Sequence, residues 1–110
     1  MLINIKATNL ELTSTLHAYV EEKVRMLAKY YDRIIEVRVE VDLTSHHHQK
    51  GEIFRAEFNV RVPGKLLRVE KRARDLYKAI DKVKDHMALE LKKYKEKTRD
   101  KKRRQINKYQ

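Results

Sequence analysis

The chain has 110 residues, enough for one ordinary domain and too few for two. Its 27 Lys and Arg against 16 Asp and Glu leave a formal charge of +11, which favours a polyanionic partner over a neutral or cationic one. With no Cys there is neither a disulfide framework nor a thiolate metal site, and no apolar run approaches the roughly 18 residues of a membrane span, so a soluble cytoplasmic protein with no membrane partner is expected.

Leu2 to Lys6 alternates apolar and polar residues and predicts a short strand. Thr8, Asn9, Thr13 and Ser14 supply turn and N-cap chemistry, after which Leu16, Val20, Val24, Leu27 and Tyr31 recur at spacings of three and four. That stripe predicts an amphipathic helix over residues 13–31. From Ile35 the period changes to two: Ile35, Val37, Val39, Val41 and Leu43 share one face of a strand, with Glu36, Arg38, Glu40 and Asp42 on the other. A second alternation groups Phe54, Ala56, Phe58, Val60 and Val62 opposite Arg55, Glu57, Asn59 and Arg61. Residues 44–51 between them are polar and end in Gly51, as a hairpin loop does. Pro63-Gly64 is the strongest turn signal and introduces a fourth strand over residues 66–72. Asp75 is a suitable N-cap for a second helix, whose stripe is Leu76, Ile80, Val83, Met87, Leu91 and Tyr94. If that helix ends near Arg99 it is roughly 37 Å long, whereas four strands span only roughly 19 Å, so its last turns overhang the sheet or follow its diagonal.

The order β-α-β-β-β-α, with two one-sided helices and half-apolar strands, predicts an α+β two-layer sandwich: a four-stranded sheet with both helices on one face. The other face is then solvated, with Arg38, Glu40, Arg55 and Glu57 available to pair across strands. Phe54 and Phe58 share the parity of the core positions, which leaves the open face without the aromatics that stack bases in RNA-recognition motifs.

Little points to catalysis. Only two Gly are present, and there is no phosphate loop, dinucleotide fingerprint or nucleophile elbow, so no enzymatic activity, cofactor or small-molecule substrate is expected. His46-His47-His48 reads as a solvated hairpin tip, because neighbours on a strand point to opposite sides and cannot share one metal. The basic residues are distributed more informatively. Residues 92–110 hold ten Lys and Arg against Glu96 and Asp100, while the preceding body is nearly balanced. Like charges crowd residues 100–110 without a clear apolar stripe, which predicts a flexible basic extension. On the first helix Lys23 flanks the stripe beside Tyr19, Met26 and Tyr30, while Arg25 and Lys29 fall on the solvent side. On the second, Lys78, Lys82 and Lys93 cluster outward with His86 at their edge, and Asp81 is spaced to pair with Lys78.

Three segments carry a family resemblance: Ile3-Asn4-Ile5, Leu10-Glu11-Leu12-Thr13 and above all Asp75-Leu76-Tyr77-Lys78-Ala79-Ile80-Asp81, followed by Leu91-Lys92-Lys93-Tyr94-Lys95. They resemble the short form of the ribosome hibernation-promoting factor family, which includes the ribosome-associated translation inhibitor. The likeness covers about residues 1–97, and residues 75–81 fit the family's Asp-x-Tyr-x-Ala-Ile-Asp signature at every specified position. It implies a fold similar to double-stranded-RNA-binding domains and a ribosome-binding domain over residues 1–99. It further implies binding to the small ribosomal subunit and its ribosomal RNA, within the intact ribosome, in the channel that holds mRNA and tRNAs. Translation is inhibited there under stress or starvation. Basic residues of both helices face ribosomal RNA in the family, at positions matching Lys23, Lys29, Lys78, Lys82 and Lys93. Met26 stands where relatives often carry a basic residue, and the chain lacks both the acidic tail of one short branch and the second, dimer-forming domain of the long branch. The expected RNA contacts are Lys23, Arg25 and Lys29 on helix one and Lys78, Lys82, His86, Lys92, Lys93 and Lys97 on helix two. A general structured-RNA binder, or a protein-interaction module using an exposed strand edge, is the alternative.

Overall fold

Seven residues of alternating polarity form β1 (Leu2–Thr8), which runs parallel to β2 (Glu36–His47), and the crossover between them is α1 (Ser14–Met26). β3 (Gly51–Val62) and β4 (Lys65–Ala73) follow as antiparallel neighbours, giving a four-stranded sheet in the order β1-β2-β3-β4, and α2 (Leu76–Lys108) closes the chain. The computed structural model describes the backbone of residues 1–47 and 51–108 and the side chains of residues 1–44 and 51–101. The architecture is the expected α+β sandwich.

Its core is the set of positions picked out by the two periodicities. Val37, Val39 and Val41 of β2, Ala56, Phe58, Val60 and Val62 of β3, and Leu67 and Val69 of β4 are buried against Leu16, Val20 and Val24 of α1 and Ala79, Ile80, Val83, Met87 and Leu91 of α2. Each fully buried Val or Leu contributes about 1.5–3 kcal/mol of transfer free energy, so the shared stripe holds the helices on the sheet. Local chemistry starts the helices where the sequence places them. The Thr13 hydroxyl accepts the Leu16 N–H at 3.1 Å, and the Asp75 carboxylate accepts the Tyr77 N–H at 2.8 Å. Gly64 supplies the positive φ of 82° that the turn before β4 requires.

Four boundaries differ from expectation. The first helix leaves α geometry after Met26 and tightens into a 3-10 turn over Leu27–Lys29, although Tyr31 still reaches the core. β2 continues past Leu43 to His47 through a register shift between Leu43 and Ser45, so the hairpin loop expected over residues 44–51 is shorter. The side chains of the His46-His47-His48 run lie outside the described residues. Ile35, placed by its alternation on the core face of β2, precedes the strand and is exposed, while its neighbour Ile34 is buried. Finally, α2 does not stop near Arg99 but runs to Lys108. No Gly or Pro interrupts it, Lys, Arg and Gln are good helix formers, and cations near a helix C-terminus complement its dipole.

At 33 residues α2 is roughly 50 Å long and accounts for the 65 Å long axis of the molecule. Tyr94 marks where it leaves the body. Its hydroxyl donates to the Pro63 carbonyl at 2.5 Å and its ring lies 5.6 Å from that of Tyr31.

Candidate nucleic-acid interface

The two helices are joined by a polar and aromatic clasp. The Tyr19 hydroxyl of α1 donates to Asp81 of α2 at 2.6 Å, and the Lys23 ammonium lies 3.4 Å from the same carboxylate oxygen. That ammonium is also 5.1 Å from the centre of the Tyr19 ring, while Tyr77 meets Tyr19 edge-on at 4.8 Å. The hydrogen bond to Asp81, helped by burial, pushes the Tyr19 phenol up to about 12. Every specified residue of the Asp-x-Tyr-x-Ala-Ile-Asp signature therefore has a structural task. Asp75 caps the helix, Tyr77 and Asp81 grip α1, and Ala79 and Ile80 are fully buried. The expected pairing of Asp81 with Lys78 is not made, because Tyr19 and Lys23 occupy the carboxylate instead.

This geometry sorts the expected RNA contacts. Lys78 and Lys82 stand one turn apart on the exposed side of α2, with Lys92 and Lys97 further along, and none of the four pairs with a carboxylate among the described residues. Lys29 is likewise exposed and unpaired among them. Lys93 and His86 share Glu90, at 3.8 and 3.4 Å. Arg25 is held by Glu21 at 2.7 Å and holds that carboxyl below its usual range. Lys23 is the residue whose setting departs most from the expectation: with its side chain 19% exposed and its ammonium on Asp81 and Tyr19, it faces the other helix. The face is mixed, since Leu89 is exposed among the lysines and Asp85 pairs with Lys84 at 2.7 Å. Sequence reasoning missed Tyr19, Tyr77 and Asp81 as a unit; Tyr19 beside Lys23 was visible, but their partner lies 62 residues from Tyr19.

The opposite side of the molecule is closed on itself. Strand register puts Glu40, Glu57 and Glu70 side by side across β2, β3 and β4, an arrangement that would repel without cations between them. Arg55 supplies these, reaching Asp42 at 2.7 Å, Glu40 at 3.1 Å, Glu57 at 3.6 Å and Glu70 at 3.8 Å. The cross-strand pairing of this face is thus present. Glu57, expected to be solvated, is instead 5% exposed beneath Arg55 and Arg68. Desolvation opposes its ionisation, but hydrogen bonds from Arg68 and Asn59 outweigh it and leave the carboxyl below the usual range. A face satisfied in this way offers few free cations, which leaves the helices as the cationic surface.

Two clasped helices presenting lysines that are unpaired among the described residues, over a sheet with internally paired charges, define an α+β domain with a cationic helical side. A sequence model of the family described as "Sigma 54 modulation protein / S30EA ribosomal protein" matches residues 3–99, and the chain belongs to that family. It is 36% identical over 101 residues to a ribosome hibernation promotion factor of Deinococcus radiodurans, covering 92% of this chain and 51% of that protein. It is 31% identical over 97 residues to the ribosome hibernation promoting factor of Escherichia coli K12, covering 88% of this chain and 96% of that one. The chain spans about half the length of the first of these relatives, 51% in the Deinococcus protein and 48% in that of Lactococcus lactis. The crystal structure of the Thermus thermophilus Protein Y N-terminal domain superposes with a TM-score of 0.74 at 35% identity, covering 86% of this chain and 99% of that one. A ribosomal subunit interface protein from Coxiella burnetii, 20% identical with a TM-score of 0.76, shares the fold.

Proposed function

We propose that this chain binds the small ribosomal subunit through its ribosomal RNA, in the channel that mRNA and tRNAs use, and so inhibits translation under stress or starvation. The observation that carries the reading is the row of exposed Lys78, Lys82, Lys92 and Lys97, unpaired among the described residues, on a helix whose position is fixed against α1 by the Asp81 clasp. Ammonium groups neutralise phosphates without demanding a particular base, so they supply affinity, while the rigid spacing of two helices over one sheet supplies placement. Family membership and the names of the relatives support the ribosome as the partner. No covalent step is needed: a body occupying the channel excludes the molecules that translation requires there.

The test is sedimentation of the purified chain with isolated small subunits, isolated large subunits and intact ribosomes over a salt series. Co-sedimentation with small subunits and ribosomes, relieved by excess tRNA and a short mRNA, is expected. Binding that persists undiminished under that competition rejects the channel. Equal affinity for a free RNA duplex makes the chain a general structured-RNA binder.

A further inference from the structure

The family match ends at residue 99, yet α2 continues without a break to Lys108. Residues 99–108 contain Arg99, Lys101, Lys102, Arg103, Arg104 and Lys108 against the single acid Asp100. We propose that this projecting segment is a second RNA-binding element, a helical arm that lies along the phosphates flanking a groove of double-helical ribosomal RNA, outside the surface covered by α1 and the first turns of α2. The identity of the RNA rests on the function proposed above; the arm itself rests on three observations about this chain.

The first is direction. Tyr94, bonded to the Pro63 carbonyl and packed against Tyr31, fixes α2 where it leaves the body, so the arm extends roughly 15 Å along a line set by the fold. The second is charge geometry. Arg99 and Arg103, and Arg104 and Lys108, are like charges four residues apart, which repel along a free helix and are relieved when phosphates lie beside them. The third is what the arm lacks. Within residues 99–108 Ile106 is the only apolar residue, and Tyr109 is a lone aromatic beyond them, so the sequence offers no row of aromatics on which successive single-stranded bases stack and no apolar stripe to enter a lipid surface. Closely spaced Arg and Lys without either feature suit a double helix, which is bound through its phosphates and its shape.

Two full-length variants test this against isolated small subunits. Lys101→Gln, Lys102→Gln, Arg103→Gln and Arg104→Gln together remove four charges while keeping a good helix former at each position. At low salt this variant is expected to bind at least about fivefold more weakly, with a salt slope shallower by about 2 to 4. Asp100→Pro makes the chain more positive but breaks the helix at the arm's base; if charge alone mattered binding would tighten, and a rigid arm instead requires it to weaken. Unchanged binding by the fourfold variant overturns the proposal, as does Asp100→Pro binding as well as or better than the parent. Pelleting of the parent, and not the fourfold variant, with phosphatidylserine and phosphatidylcholine vesicles as strongly as with small subunits would assign the arm to membranes and also overturn it. Lys78→Ala with Lys82→Ala in the same titration separates this inference from the proposed function. Loss of binding there alone leaves the channel reading standing and removes the arm. Loss in the fourfold variant with no displacement by tRNA and mRNA keeps the arm and removes the channel.

Discussion

Lys78 and Lys82 are exposed, unpaired among the described residues and one helical turn apart, which gives them a simple energetic profile. Changing both to Ala together with Lys93 is expected to weaken small-subunit binding and flatten its salt dependence by about 2 to 3 in slope, while the melting temperature moves little because none of the three supports the core. Sedimentation across salt and a thermal melt check both halves. Glu57 is the converse, a charged residue of structural value. Its folded carboxyl titrates below its ordinary 4.5, so its stabilisation is complete above that pH and is lost as pH falls through the lower folded value. Glu57→Gln is expected to cost about 1 kcal/mol at neutral pH, with Arg68 exposed enough to moderate the loss, and the gap to the parent narrows as the pH falls below the ordinary carboxyl range. Denaturant midpoints from neutral to acidic pH measure this; a gap that stays constant with pH would contradict the assignment. The alternation of β3 placed Glu57 on the open face correctly, but its burial comes from Arg55 and Arg68 lying over it, and Arg68 belongs to another strand. Such cover is not written in local pattern.

At the scale of elements, the contact between α1 and α2 makes Asp81 the residue to change. If Lys23 bound phosphate, Asp81→Asn would free its ammonium and tighten RNA binding; if the clasp aligns the helices, the same change weakens binding about threefold to tenfold, and Lys23→Gln with Asp81→Asn is no worse than either alone. We expect the second result, with the salt slope of Lys23→Gln unchanged. Tyrosinate absorbance gives an independent check, because the Tyr19 step near 12 is expected to move down towards its ordinary 10 in Asp81→Asn. Above about pH 10 the unfolded phenol ionises while the folded one stays protonated, so the clasp's contribution is present below that pH and declines through 12. The helices themselves were legible from their stripes and from Thr13 and Asp75; their mutual grip was not, because Tyr19 and Asp81 are joined only by the tertiary fold. The far end of α2 was misjudged for another reason. Charge repulsion argued for an end near Arg99, and the unbroken run of helix formers with dipole-compatible cations opposes it.

For the molecule as a whole, sequence periodicity was sufficient for the element order because each apolar stripe has one place to go in a two-layer sandwich. The β3-β4 hairpin was legible from Pro63-Gly64 and the β2-β3 hairpin from the polar segment ending in Gly51, but the parallel place of β1 beside β2, reached across α1, was not. The candidate site was legible only as a set of basic positions. Which lysines are free and which is spent on Asp81 depends on contacts between α1 and α2 that no single segment contains.

The sheet ends on β1 and β4, and each leaves one row of backbone donors and acceptors without a neighbouring strand. β4 carries Lys65, Arg68, Lys71 and Arg72 among its nine residues. With Glu70 as its one acid, β4 has a net positive charge, so a second copy approaching that border to extend the sheet is repelled, most at low ionic strength, where charges are least screened. The two borders therefore differ: β4 repels a second copy of itself by charge, whereas β1, with Lys6 its only charged residue, carries no comparable guard.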